Sequence, residues 1–152
     1  MRALPTAALI MALGVVAFAT TVSAEQPSPP PPPPYRVIVN PKNPATALDR
    51  TFLQDAFLKK TRHWPDERVI QPVDLATTSP ARSSFSEDVL RRSVAAVRAY
   101  WQQRIFSGRD VPPPELASDE RVVEYVLTHE AAVAYVSGTA PLAGAKAISV
   151  TR

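Results

Sequence analysis

No cysteine occurs in the 152 residues. The chain therefore has no disulfide to brace it, no thiolate nucleophile and no thiol to hold a metal or a lipid. Glycine is almost as scarce, with four in all, and neither a GxxxxGK[ST] phosphate loop nor a dinucleotide fingerprint is present. His63 and His129 lie 66 positions apart, with no HExxH between them and no GxSxG elbow anywhere. Glu87-Asp88 and Asp119-Glu120 fall in first helical turns or on exposed faces, where acidic residues are ordinary. Nothing joins a nucleophile to a base, so a non-enzymatic protein is expected, without cofactor or metal. Excess charge is missing too: the net value is +3. Lys59, Lys60, Arg62 and Arg68 cluster, but Asp55, Asp66 and Glu67 break them up, which describes a solvated face and makes no case for nucleic acid.

Long apolar runs are absent apart from one near the start. Arg2 is followed by the alanine-rich Ala7–Thr20 and then by Val22-Ser23-Ala24 before Glu25. A positive start, a short apolar core and small residues before a cleavage point make a secretory signal over residues 1–24. The run falls short of the roughly 20 residues of a spanning helix; a retained anchor is the other reading. Cleavage removes Arg2 and lowers the charge from +3 to +2. An exported chain with no cysteine to lipidate is expected in the periplasm, soluble and without stable membrane insertion.

Proline is abundant where glycine is not. Residues 25–34 end in six consecutive prolines, Pro29–Pro34. Lacking backbone donors, such a run adopts an extended left-handed helix, roughly 19 Å long at about 3.1 Å per residue. It serves as a stiff spacer or as a docking segment for an aromatic groove. Residues 35–152 then form the domain.

Tyr35–Val39 reads as a strand, stopped by Asn40-Pro41-Lys42-Asn43-Pro44. Asp49 caps a helix over Arg50–Leu58, whose stripe is Phe52, Leu53, Ala56 and Phe57. His63-Trp64-Pro65 turns, with Trp64 as a lid over the helix end and His63 on the surface. Ser93 caps Val94–Phe106, with Val97, Tyr100, Trp101, Arg104 and Ile105 on the packed side. Ser118 caps a helix through Leu127, with Val122, Val123, Val126 and Leu127 inward. Strands follow at Ala132–Val136 and Ala147–Val150. The alternation of strands and helices predicts an α/β domain, its short sheet covered by helices.

The stretch at the centre is Val69–Leu90. An apolar strand, Val69–Val73, runs through the polar turn Asp74–Thr78 into a helix that starts at Ser79-Pro80 and extends to about Arg91. Ser79 is a suitable cap, and Pro80 at the first helical position loses no hydrogen bond. Such a junction leaves N–H groups pointing outward where an anion can sit. The candidate ligand-binding residues are Thr77, Thr78 and Ser79, with hydroxyls to donate, and Arg82, one turn in, with a guanidinium that grips phosphate or carboxylate. The alternative for Arg82 is a plain surface arginine. Asp74 at the strand end works against an anion in the same small space.

Four segments, NPKNPATALDRTFLQDAFLKKTRHW, VIQPVDLATTSPARSSFSEDV, VRAYWQQRIFSGRDVPP and VVEYVLTHEAAVAYV, resemble in this order the substrate-binding proteins of ABC importers. They are most similar to the small exported proteins named phosphate ABC transporter substrate-binding protein, and the likeness spans Val37–Val150. The resemblance implies a single three-layer lobe of the type II periplasmic-binding-protein kind, with a short mixed sheet. It implies a periplasmic protein that binds phosphate or a similar oxyanion. In full-length relatives two lobes clamp the anion, and this chain resembles one. By position the family's anion-holding arginine falls on Asp74, and its Gly-Ser-Gly-Thr turn on Thr77-Thr78-Ser79-Pro80. The family's Pro-Gly-Ala-Ile-Gly-Tyr-Val appears as Glu130–Val136. With one lobe, a second copy or another protein has to close the cleft. The alternative is a protein-interaction or regulatory module that keeps the lobe and has lost the ligand.

Overall fold

Tyr35–Val39 forms the first strand, β1, of the computed structural model, which describes residues 30–152. The signal segment and residues 25–29 lie outside the described residues. In chain order there follow β2 (Ala47–Asp49), α1 (Arg50–Phe57), β3 (Gln71–Pro72), β4 (Asp74–Leu75) and α2 (Pro80–Phe85). A π-helical turn over Ser86–Leu90 leads to α3 (Val94–Phe106), β5 (Glu115–Leu116), α4 (Asp119–Thr128), β6 (Ala132–Ser137) and β7 (Lys146–Thr151).

Five strands make a mixed sheet in the order β2-β7-β1-β6-β3. β1 runs antiparallel to both neighbours, with Val37 opposite Tyr135 on β6 and opposite Ile148 on β7. The outer strands β2 and β3 are parallel to β7 and β6. Successive side chains of a strand point to opposite faces, and β6 is buried from Ala132 to Val136, so both faces are covered. On one face Phe85 of α2 stacks on Tyr135 at 3.9 Å and Phe57 of α1 lies 4.7 Å from Phe85. The alternate residues of β6 are small, Ala132 and Ala134, and α4 packs across β6 and β1 with Val122 and Val126 buried. The result is a single α/β lobe.

The polar residues before each helix act as the sequence predicts at three places. Asp49 accepts from the N–H groups of Thr51 and Phe52, Ser93 from Ala96 and Ser118 from Arg121. Elsewhere the chain departs from expectation. Of the apolar stretch Val69–Val73, Gln71–Pro72 forms the strand paired with β6; Val69 is exposed and bridges to His63. Trp64 packs on Phe52, in the first turn of α1 rather than over the helix end, and its indole N–H donates to the Ala131 carbonyl at 2.9 Å. The helix expected to continue to Arg91 stays α-helical only to Phe85. Arg91 then ends the π-helical turn in the left-handed conformation at φ 55°. Ile105 faces solvent, where the pattern put it in the core.

Candidate functional site

The strand expected to end at Val73 changes partner there. The Val73 N–H donates to Val133 of β6, at 3.0 Å, and the next N–H, of Asp74, donates to Pro114 at 2.9 Å. Asp74 and Leu75 thus leave the main sheet and pair in parallel with Glu115 and Leu116 of β5. This brings a second connection, distant in sequence, against the strand end that precedes the candidate turn.

The turn itself is short. The Ala76 N–H donates to Leu116, that of Ser79 returns to Ala76 at 3.0 Å, and those of Arg82 and Ser83 both reach the Ser79 carbonyl. Thr78 is exposed, and Thr77 and Ser79 are half-buried. Ser79 occupies the cap position with extended backbone, yet its side chain makes no capping bond, so the hydroxyl expected to be spent on the helix is spare. Among the described residues, the N–H groups of Thr77 and Thr78 have no carbonyl partner. The turn therefore holds three hydroxyls and two amide N–H groups without an internal partner among the described residues.

Arg82, read from the sequence as a ligand-gripping or a surface guanidinium, is buried. It donates to the Leu75 carbonyl at 2.8 Å and lies 3.0 Å from Asp74 Oδ1, with Glu115 at 3.8 Å. Asp74, expected in the opening, is buried too and accepts a 2.8 Å hydrogen bond from the Tyr135 hydroxyl, which itself accepts from the Leu75 N–H. Burial pushes the Asp74 carboxyl up to about 6, more strongly than Arg82 and Tyr135 pull it down, and Glu115 pushes the same way. Burial, and after it the Asp74 charge, raises the Tyr135 phenol as well. One guanidinium thus faces two carboxylates, one of which also holds the Tyr135 hydroxyl, so the cluster supplies no net positive charge. The cluster bonds strand end, helix start and central strand to one another.

Thr77, Thr78 and Ser79 share the turn that the sequence predicts, whereas the Arg82 side chain turns inward to Leu75, Asp74 and Glu115; Tyr135 and Glu115 were not among the expected residues. Tyr135 is the one polar-tipped residue in the apolar run Ala131–Val136, which was a usable signal; Glu115 gave none. A separate depression of about 590 Å³ lies between α1 and the π-helical turn, lined by Arg50, Thr51, Gln54, Val89, Arg91 and Arg152. Arg50 is held there by Asp88. Among the described residues no group of three His, Cys, Asp or Glu side chains stands ready for a metal, and no helix is long and apolar enough to cross a membrane.

No protein-family profile matches this sequence, and no curated protein does. Solved structures do. The lobe is similar to a Clostridium perfringens protein described as a phosphate ABC transporter substrate-binding protein, solved with bound phosphate, at a TM-score of 0.60 and 18% identity. That match covers 76% of this chain and 44% of the other. An ABC-type phosphate transport receptor from Vibrio cholerae matches at a TM-score of 0.59 and 21% identity, over 76% of this chain and 45% of the other. PstS from Borrelia burgdorferi matches at 0.57 and 12% identity, over 77% and 47%. The fold is that of one lobe of a type II periplasmic binding protein. The chain spans less than half the length of these structures.

Proposed function

We propose that this chain is an exported, non-enzymatic substrate-binding lobe that takes phosphate or a similarly shaped oxyanion at Thr77-Thr78-Ser79. The observation that carries the reading is the donor set of that turn: hydroxyls and amide N–H groups without internal partners, on a fold shared with a protein solved with phosphate bound. Neutral dipoles and N–H groups hold an anion without a formal counter-charge when they converge on it. Arg82 then acts from behind, bracing the turn through Leu75. Residues 1–24 direct export and are cleaved, residues 25–34 space the lobe from its new N-terminus, and the lobe works in the periplasm for an ABC importer. A single lobe leaves the ligand's far side in water, so capture is weak until a second copy or another protein closes over it.

Calorimetry with inorganic phosphate tests this. Weak binding that falls on Thr78→Ala or Ser79→Ala supports the reading, and no heat at millimolar phosphate rejects it for the unpartnered chain. A specific observation favours a second reading, a protein-contact module with the lobe kept and the ligand lost: Arg82 faces Asp74 and Glu115 rather than the turn's outer side. In that case phosphate gives no heat, and substitutions at Thr77–Ser79 weaken a protein partner instead.

A further inference from the structure

Among the described residues the longest helix, α3, is the one the lobe uses least. Of the thirteen residues of α3 only Val97 and Trp101 are buried. Its outward side carries Ala95, Ala96 and Ala99 and ends in Phe106, 90% exposed, beside Ile105 at 49%. From Val89 to Arg109 there are five arginines, at 91, 92, 98, 104 and 109, and no acidic residue. None of the five is ion-paired among the described residues, where Asp110, the next acid along, is taken by Lys59 and Arg62. Arg92 and Arg104 instead stand 5.2 and 5.1 Å from the centre of the Tyr100 ring, two like charges sharing one aromatic.

We propose that α3 is a docking surface for an anionic lipid bilayer, with Phe106 and Ile105 entering the headgroup layer and Arg98 and Arg109 meeting lipid phosphates. The chemistry selects this occupant. A large apolar side chain standing clear of the surface on a helix whose arginines have no acidic partner is the arrangement of a peripheral membrane contact. A second copy packed α3 against α3 would bring five arginines against five with no acid to receive them. Each arginine at an anionic leaflet adds roughly fivefold to partitioning, and salt screens the effect over about 8 Å at physiological ionic strength. The contact is peripheral, with no segment crossing, and does not depend on an anion at Thr77–Ser79.

Because the chain has no cysteine, Phe106→Cys gives a single attachment point for an environment-sensitive dye, and Ser149→Cys gives an exposed control on β7. The full chain is titrated with phosphatidylglycerol–phosphatidylcholine vesicles and with phosphatidylcholine alone. The expected result is a blue shift and gain of emission at position 106 on the anionic vesicles only. It should be reversed by high salt and shifted about twenty-five-fold in lipid concentration by Arg98→Gln/Arg109→Gln, while the dye at 149 stays silent. Any affinity of Ala7–Thr20 for lipid is common to all samples and is not read at position 106. An equal response on neutral vesicles, no response at 106, or one that follows protein concentration without lipid overturns the proposal. An equal response to polyglutamate in place of vesicles assigns the surface to an acidic polymer and overturns it too.

Discussion

Arg82 Nη1 lies 3.0 Å from Asp74 Oδ1, and each side chain is only 4% exposed. The pair joins α2 to the strand end that precedes the candidate turn. A buried pair of this kind owes its effect less to mutual attraction than to what is left behind when one member goes.

Arg82→Met should therefore cost about 3–5 kcal/mol at neutral pH, since it strands a carboxylate. The double variant Asp74→Leu/Arg82→Met should recover most of that, because an apolar pair of similar bulk is often neutral. Urea denaturation of the two variants checks it. A double variant no more stable than the single one would show that the pair contributes something packing cannot replace.

Asp74 itself has a sign that can be worked out. Its carboxyl titrates at about 6 in the folded chain against 3.8 ordinarily. The folded state therefore binds the extra proton between those values, and stability present below about pH 4 is lost as pH rises through 6. The rise from 3.8 to about 6 corresponds to about 3 kcal/mol. Asp88 runs the other way: the Tyr35 hydroxyl holds its carboxyl low, with partial burial opposing and Arg50 helping, so its contribution is lost on acidification. Carboxyl-carbon NMR separates the two, with an Asp74 midpoint near 6 expected and one near 4 contradicting the burial argument.

Tyr135→Phe removes the hydroxyl that donates to Asp74 at 2.8 Å while leaving the ring stacked on Phe85. The expected loss is about 1–3 kcal/mol, and the Asp74 midpoint should move above that of the parent chain. Phe85→Ala, by contrast, should cost about 3–5 kcal/mol through the cavity it opens and shift the midpoint little. Chemical denaturation paired with the same NMR titration distinguishes a polar role for Tyr135 from a packing one.

Much of this was legible in the sequence, and what was not has common causes. Asp49, Ser93 and Ser118 announced their helices because a cap bonds to amides two or three residues on. The strands β2 and β5 are only three and two residues long and pair in parallel with β7 and β4. Their identity comes from distant partners, which local patterning does not contain. The change from α-helix to π-helix at Ser86 has no glycine or proline to mark it. It accompanies a contact six residues on, the Ser86 hydroxyl donating to Arg92 at 2.9 Å. At the site, the hydroxyl-rich turn was readable from Thr77-Thr78-Ser79 alone. Arg82's burial was not, because Tyr135, which helps enclose its partner, lies 61 positions from Asp74.

Gly138 has its own test. Its φ is not of the left-handed kind, but a Cβ there would overlap the carbonyl of Pro33, so glycine is needed for close approach. Gly138→Ala should displace Pro33 and speed amide exchange at Tyr35 and Arg36, which pair with Ser137 and Val136, while leaving the buried residues of α4 protected. Gly144→Ala, in open space at φ 102°, should cost stability through backbone strain without that local exchange.

The donors of Thr77, Thr78 and Ser79 define the proposed anion site, and amide NMR of the full chain titrated with inorganic phosphate reads them directly. The predicted result is a saturating shift of the Thr77 and Thr78 amide resonances, in the millimolar range, that vanishes with Ser79→Ala or Thr78→Ala while the Asp74–Arg82 region stays folded. Shifts confined to the arginine-lined depression beside α1, or no saturating shift at the turn, would contradict it.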